Sequence, residues 1–461
     1  MVVATGVVAG THIWKLPGAL AQIQADTGMS LVAAGLLVAL IQLASMVGGL
    51  LVAWSGEILG LRRLTVAGLL LLAIGSLIGS AADGASALMA SRAVEGVGFL
   101  LCTVMAPALI QRSCAPRRIN IAMASWGSFQ GMATLIGLAA SSWALQAADW
   151  RSWWVVMAAV ALAPIPAVLA FVPKDPPRAG ESTGHASAAG RRIIATVASP
   201  RPWIAGGLFA CYTAQWMAIM GFLPAIYTAA GFQGIWPGLL SAAVGGVNAI
   251  GALSAGPLMD RGLTGRWLLI PAFATMAASS LVTFALPWPP GSGSAVAQVV
   301  GVAMFSLLGG LVPATMTRIS VSLAPSEGSV TGVIGLMQQI FNVGNFVGPP
   351  MLAVLVTAAG GWHATWWMSC SLGALGTLLT CALLPRRGGR SPGLTSSRRN
   401  DPGDIDESTN AVPPGVLKFS GSQPAGTPLG QVHNWLPCRG EPFDEVSSRF
   451  ASGSFGQMGV Q

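Results

Sequence analysis

The sequence predicts an all-α integral membrane protein with twelve transmembrane helices, arranged as two pseudo-symmetric six-helix bundles. Three observations predict this fold: the low share of charged residues, the lengths of the uncharged runs, and motifs that recur in the two halves. Of the 461 residues, 53% are hydrophobic and 9% are charged, whereas a soluble domain carries about 25% charged residues. Most of the chain therefore cannot face water.

The uncharged runs give the number of spans, because a membrane-crossing helix needs about 20 mostly apolar residues. Four runs without Asp, Glu, Lys or Arg hold one span each: 27–56, 64–82, 119–148 and 152–173. Three longer runs hold two spans each, with a helix breaker near the middle: 202–259, 267–317 and 328–385. With a first span near 2–23 and a fourth near 86–110, the total is twelve.

The distribution of basic residues orients these spans. With the N terminus inside, the inner loops contain Arg62, Arg63, Arg112, Arg117, Arg118, Lys174, Arg178, Arg191, Arg192, Arg261, Arg266 and Arg318, and the outer loops contain Arg151. The positive-inside rule therefore places both termini in the cytoplasm. The net charge of +8 then describes a surface beside anionic membrane lipid, with no need for a nucleic-acid partner. Arginine strongly outnumbers lysine, and with the many alanine and glycine residues this is typical of a GC-rich bacterial genome. We therefore expect a protein of a bacterial inner membrane.

Four regions follow from this pattern. Residues 1–172 and 202–385 form the two six-helix halves, and residues 173–201 form a cytoplasmic linker. Residues 386–461 contain no long apolar run, and their composition predicts a largely disordered cytoplasmic tail. No basic region precedes the first apolar stretch, so we expect no cleavable signal peptide. We expect either an uncleaved signal anchor or a start that lacks a short cytoplasmic leader, and the shortness of the first helix favours the second.

An internal repeat relates the two halves. An acid-containing loop sequence ends the second span and recurs after the eighth, and tryptophan pairs open the sixth and twelfth spans at nearly the same offset. The loop residues are Glu57, Gly60, Arg62 and Arg63 in the first half, and Gly256, Asp260, Arg261, Gly265 and Arg266 in the second. Parallel repeats of six helices are typical of secondary transporters.

These loops resemble the loop motif of the major facilitator superfamily. The segment Arg92-Ala-Val-Glu95-Gly96-Val-Gly98 resembles the fourth-helix motif of that family, and Gly344-x3-Gly348-Pro349 resembles its fifth-helix motif. The chain departs from the family pattern at Ala53 and Glu57, where the family prefers Gly and Asp. The resemblance covers roughly residues 2–385 and is closest to the bacterial cyanate/nitrite-like branch. It implies transport by alternating access, without a cofactor, a metal or catalytic residues.

The loop motifs are predicted to form a gate, because acids and arginines facing each other across a short turn can hold the two halves together on the cytoplasmic side. The alternative is that these charges only end the helices at the membrane surface. The repeat favours the gating role, since the positive-inside rule alone does not require paired acids.

Four ionisable residues lie within predicted spans: His12 and Lys15 on the first helix, and Arg92 and Glu95 on the fourth. Such residues cost about 2.5–3.5 kcal/mol each on insertion and indicate function. Since the family resemblance implies that both helices line the central cavity, we predict that Lys15 and Arg92 bind an anionic substrate. Glu95 and His12 are the candidates for proton coupling. The alternatives are that Lys15 extends to the interface, that Arg92 and Glu95 form an intrahelical pair, and that His12 is an interior hydrogen-bonding residue.

Uncharged polar residues complete the predicted substrate site. Tyr212 and Gln215 share one face of the seventh helix, and Gln338, Asn342 and Asn345 form a stripe on the eleventh. The alternative for both groups is hydrogen bonding between helices.

The predicted function is secondary transport of a small anion, coupled to protons or exchanged, by a monomer whose partners are its substrate and membrane lipid. One rival is efflux of hydrophobic or cationic compounds, for which an unpaired acid in the cavity would be expected. A rival of another class is a non-transporting receptor or sensor that signals through the tail. An enzyme is not expected, because the sequence contains no nucleophile–base–acid set and no metal motif. The phosphate-binding pattern GxxxxGK[ST] is absent from the sequence, so we do not expect ATP-driven transport by this chain.

Overall fold

The computed structural model describes residues 1–115, 118–175, 191–192, 194–286, 294–326 and 328–384. Within these ranges the chain is helical and contains no strand. The predictions for the 386–461 tail and for the linker between residues 176 and 190 lie outside the described residues.

Twelve long helices, α1 to α12, follow one another in the described part of the chain, and residues 194–198 form a further short helical segment between α6 and α7. In the first half they are α1 Val2–Thr27; α2, formed by Leu31–Ala39, a 3₁₀ turn at Leu40–Gln42 and Leu43–Leu59; α3 Leu61–Ser80; α4 Ala85–Ser113; α5, formed by Ile119–Gly127 and Phe129–Ala147; and α6, formed by Trp150–Leu162 and Ile165–Phe171. In the second half they are α7 Pro200–Ala229; α8 Trp236–Asp260; α9, formed by Gly265–Ser280 and a π-helical turn at Leu281–Ala285; α10, formed by Ser294–Gly309, Leu311–Ser320 and Val321–Leu323; α11 Val330–Ala359; and α12, formed by Trp362–Ala364 and Thr365–Leu383.

Length and composition support a membrane-spanning role for these helices. Ten of them are long and apolar enough to cross a bilayer, among the residues that the structure describes. The exceptions are α1, which contains His12 and Lys15, and α5, which is interrupted after Gly127. The all-α membrane fold predicted from the run lengths is thereby confirmed.

Three helix pairs bring the two halves together. Helix α5 packs along α8, α2 packs along α11, and α1 meets α7. Near the middle of α1 and α7, the rings of Trp14 and Trp216 are in edge-to-face contact with centroids 5.4 Å apart. Helix α1 thus lies at this seam, and on its other side it packs against α4 within the first half.

Candidate functional site

Five polar side chains meet in the interior of the first half, and we call them the charge cluster: His12 and Lys15 of α1, Ser76 of α3, and Arg92 and Glu95 of α4. All five are 0% exposed. The i, i+3 spacing places the first two on one face of α1 and the last two on one face of α4. The structure therefore brings together all four ionisable residues that the sequence singled out, and it adds Ser76, which the sequence analysis missed.

Glu95 is the centre of the charge cluster. Its Oε2 accepts a hydrogen bond from Arg92 Nη1 at 2.5 Å, and its Oε1 accepts from Ser76 Oγ at 2.7 Å and from Lys15 Nζ. His12 Nδ1 lies 3.6 Å from the same Oε1. One carboxylate thus bridges two cations, and the cluster carries one excess positive charge when His12 is counted as neutral.

Lys15 is held inside the bundle. Its Nζ donates to Ser76 Oγ at 2.8 Å as well as to Glu95, and it lies 4.4 Å from the ring centroid of Trp154 on α6. The alternative in which this side chain extends to the membrane interface is therefore wrong. The ammonium group finds its hydrogen-bond acceptors and an aromatic face within the first half, so it does not need water.

Arg92 is only partly satisfied. Besides its bond to Glu95, Nη1 donates to the His12 carbonyl oxygen at 2.8 Å. Its Nε and Nη2 have no acceptor within hydrogen-bonding distance among the described residues. A buried donor without a partner costs about 1–3 kcal/mol, and more when it is charged. The intrahelical pair with Glu95 exists, but it leaves Nε and Nη2 of the guanidinium group without a hydrogen-bond partner among the described residues.

Close packing of α3 against α4 positions Ser76. A Cβ atom on Gly75 would lie 2.6 Å from Glu95 Cγ and 3.0 Å from the Glu95 backbone nitrogen. Only glycine fits at that distance, and this close approach lets the next residue, Ser76, reach the carboxylate. The sequence signal for Ser76 is weak, since a single serine in an apolar span is most often a neutral packing residue.

The predicted contacts on α7 belong to a polar network of the second half. Tyr212 accepts a hydrogen bond from Asn248 Nδ2 at 3.2 Å, and the same Nδ2 donates to the Ser306 carbonyl oxygen at 2.8 Å. Gln215 is fully buried and donates to the Cys211 carbonyl oxygen at 2.9 Å. Its Oε1 has no donor partner among the described residues. Both residues are buried near the seam between the halves, and their role as substrate contacts stays a prediction.

The predicted stripe on α11 divides in two. Gln338 is exposed, whereas Asn342 and Asn345 are buried. The Asn342 side chain donates to the Gln338 carbonyl oxygen at 2.9 Å within the same helix. No hydrogen bond among the described residues joins this stripe to the charge cluster, and its part in substrate binding also stays a prediction.

The first-half loop motif is organised around Asp175, a residue that the sequence analysis assigned to the linker. Its carboxylate accepts hydrogen bonds from the backbone nitrogens of Arg62 at 3.2 Å and Arg63 at 3.1 Å, and from Arg112 Nη1 at 3.2 Å. Gly60 has φ +95°, and any Cβ there would meet the carboxylate of Asp175. Asp175 therefore caps α3 from a position more than one hundred residues later, while the Glu57 side chain lies outside the described part of the chain.

The second-half loop motif makes equivalent contacts within its own half. Asp260 pairs with Arg318 at 2.5 Å, and Arg318 also donates to the Gly256 carbonyl oxygen at 3.3 Å. Arg266 donates to the Leu384 carbonyl oxygen at 2.9 Å. The contacts described for Arg62, Arg63, Asp260 and Arg266 thus join helix ends within one half. Gating by contacts between the halves stays a prediction, as do the roles of Arg261 and Gly265.

Removing the Asp175 cap is expected to destabilise the first half. In Asp175→Ala the first backbone N–H groups of α3 lose their acceptor and Arg112 loses its counterion, so we expect a loss of about 0.5–2 kcal/mol, typical of a capping residue. Thermal unfolding of the detergent-purified protein measures it. Asp83→Ala, at an exposed position in the α3–α4 loop, is the control. An equal melting temperature for both variants would contradict the capping role.

A comparison with protein families decides the identity of this fold. The family model of the Major Facilitator Superfamily matches residues 2–341. The chain belongs to that superfamily. This major facilitator protein is therefore a multi-pass membrane protein, as the sequence predicts.

Individual relatives resemble this chain over part of its length. The cyanate transport protein CynX of Escherichia coli (strain K12) is 29% identical over 256 residues, which cover 55% of this chain and 64% of that protein. A multidrug resistance protein B homolog of Mycobacterium tuberculosis (strain H37Rv) is 28% identical over 129 residues, which cover 28% of this chain and 24% of that protein. The chain thus spans less than two thirds of the length of each curated relative.

A solved structure supports the fold. The crystal structure of a D-xylose-proton symporter aligns with a TM-score of 0.67 at 13% identity, covering 83% of this chain and 96% of that one. At this identity the likeness concerns the arrangement of the helices and says nothing of the substrate.

Proposed function

We propose that this chain is a secondary transporter that moves a small anion across the inner membrane by alternating access, coupled to protons at the charge cluster. Both termini are cytoplasmic in this proposal, and the monomer is the working unit. The observation that carries it is the buried excess of positive charge beside the unpartnered Nε and Nη2 of Arg92.

The charge balance favours an anion over a cation. A buried charge without a partner is expensive in a membrane, and the cluster contains two cations but one carboxylate. An anion bound to Nε and Nη2 of Arg92 would neutralise the excess positive charge of the cluster. The guanidinium group of arginine suits planar or multi-oxygen anions. A cation would instead find the Glu95 carboxylate already engaged by Lys15 and Arg92.

Proton coupling follows from the same electrostatics. An anion near Arg92 and a proton on Glu95 or His12 attract each other across a few ångströms of low-dielectric interior. Each ligand therefore favours binding of the other, and this reciprocity is the thermodynamic basis of symport. Movement of the two halves about the Trp14–Trp216 seam would then carry both ligands together.

The similarity to a cyanate transport protein suggests which anions to test first. Cyanate is a small monovalent anion that could bond to two N–H groups of one guanidinium. We therefore propose small monovalent inorganic anions and small carboxylates as the substrate class. Because that relative is only partly covered and the identity is low, we argue the substrate class from the chemistry of the charge cluster and not from the relative's name.

Uptake into proteoliposomes tests this function. The purified wild-type chain is offered radiolabelled cyanate, nitrite, formate and acetate, with and without an inward proton gradient, beside a cationic dye as the probe for efflux. We expect one or more anions to accumulate, and to accumulate more with the gradient. Dye transport without movement of any anion would overturn the proposal in favour of the efflux alternative. Transport unchanged by deletion of residues 388–461 would exclude signalling through the tail as the main role.

A further inference from the structure

We propose that Ser76 is a proton-relay residue that connects His12 to Glu95, an inference that rests on the proton coupling proposed above. The serine hydroxyl contacts three polar groups at once: it lies 3.3 Å from His12 Nδ1, 2.8 Å from Lys15 Nζ and 2.7 Å from Glu95 Oε1. A hydroxyl has one proton to donate and two lone pairs to accept with. These three contacts match the one donor and two acceptor positions of the hydroxyl.

The directions of these hydrogen bonds follow from the partners. The Lys15 ammonium can only donate, and the Glu95 carboxylate can only accept. The hydroxyl therefore donates to Glu95 Oε1 and accepts from Lys15 Nζ, which leaves its second lone pair for His12. His12 fills that position when its proton is on Nδ1, so the arrangement favours this tautomer.

The other nitrogen of the same imidazole, Nε2, is the atom at which a proton first binds the cluster. His12 Nε2 is buried and has no hydrogen-bond partner among the described residues. In the Nδ1–H tautomer this nitrogen carries a free lone pair and can accept a proton from water on the transport pathway. The observation is independent of the hydroxyl geometry, and it identifies the side of the cluster from which a proton arrives.

The net result of the relay is the transfer of one proton from water to Glu95. A water-borne proton binds His12 Nε2, and the Nδ1–H bond breaks as that proton moves to Ser76 Oγ. The original hydroxyl proton moves in turn to Glu95 Oε1, so the serine ends as a neutral hydroxyl. The imidazole is again neutral with its proton on Nε2, and the net change is one proton on Glu95.

The surroundings of the relay contain the groups that set its electrostatics. Lys15 on α1 and Arg92 on α4 face Glu95, and the neutral ring of Trp154 on α6 faces Lys15. Protonation neutralises the Glu95 carboxylate, so Lys15 and Arg92 lose the negative charge between them. An anion bound to Arg92 would then replace that negative charge. The relay thus links proton arrival to the binding site for the substrate.

Three serine variants test this role in the full-length chain. Ser76→Ala removes the hydroxyl, Ser76→Thr retains it, and Ser91→Ala is the matched control. Ser91 is also fully buried, but its hydroxyl donates to the Leu88 carbonyl oxygen of its own helix at 2.7 Å. Each variant is measured in proteoliposomes for anion uptake driven by a pH gradient, and for anion–anion exchange at equal pH, with cyanate as the probe or, if cyanate is not carried, the anion that the wild type accumulates.

The two readouts separate the relay from a structural role. We expect Ser76→Ala to lower gradient-driven uptake about 10²-fold more than it lowers exchange, the low end of general acid–base contributions. Ser76→Thr should restore gradient-driven uptake, and Ser91→Ala should leave both activities unchanged. Gradient-driven uptake by Ser76→Ala at the wild-type rate would overturn the relay.

A second variant keeps the inference testable if Ser76→Ala does not fold. His12→Asn retains a polar group near the position of Nδ1 and removes Nε2, so it should also lower gradient-driven uptake far more than it lowers exchange. Full gradient-driven uptake by His12→Asn would contradict the path. A wild-type chain that exchanges anions but ignores the pH gradient would instead refute the coupling in the proposed function, which is a different result from failure of Ser76.

Discussion

Glu95→Gln is expected to lower the free energy of unfolding by about 3–5 kcal/mol, the cost of leaving a buried charge without its partner. The substitution preserves the shape of the side chain but removes the carboxylate that bridges Lys15 and Arg92. Two buried cations would then face each other in a low-dielectric interior, where their repulsion is weakly screened. Thermal and denaturant unfolding of the purified protein in detergent measures the loss.

Lys15→Met is the matched comparison for this prediction. It removes the excess cation and leaves Arg92 and Glu95 as a neutral pair, while the methionine keeps most of the buried volume. Its expected cost is well below that of Glu95→Gln, because replacing a charged group by an apolar one of similar size is often tolerated. Equal destabilisation by the two substitutions would contradict the charge balance described for the cluster.

Arg92→Gln is expected to reduce anion uptake by about 10²-fold or more, because truncating a buried, hydrogen-bonded charge that faces a ligand costs about 2–5 kcal/mol of binding. This variant should still fold, since Glu95 keeps Lys15 and Ser76 as partners. Arg92→Lys retains the charge without the fork, so it should recover only part of the uptake. Initial rates of anion uptake in proteoliposomes measure both effects.

The control for Arg92 is an arginine of the cytoplasmic surface. Arg318→Gln removes an equal charge from an exposed ion pair with Asp260, which is worth about 0–1 kcal/mol. It should leave the affinity for the anion unchanged. If Arg92→Gln transported the anion with wild-type kinetics while folding normally, Arg92 would not belong to the substrate site.

Much of the fold could be predicted from run lengths, because the bilayer imposes a minimum length on each helix. The same constraint makes Lys15, Arg92 and Glu95 conspicuous, since charges within spans are rare. What the sequence could not provide was the rotation of α1, which decides whether Lys15 faces water or the bundle.

The parts of the site that escaped prediction depend on contacts between distant segments. Ser76 is one hydroxyl in an apolar span, and its role appears only when α3 and α4 are in contact at Gly75. Asp175 belongs by composition to a hydrophilic linker, yet its carboxylate caps α3. The exposure of Gln338 beside buried Asn342 likewise follows from the packing of α11, which a polar stripe does not specify.

Isothermal titration calorimetry tests most directly whether anion and proton meet at the charge cluster. The purified wild-type chain is titrated with the transported anion at one pH, in buffers of different ionisation enthalpy. If anion and proton meet there, binding of the anion draws a proton onto the cluster, and reciprocity requires the two events to be linked. The predicted result is a binding heat that changes with the ionisation enthalpy of the buffer, with the sign expected when the protein takes up a proton from the buffer. Anion binding with a heat independent of the buffer would contradict the account.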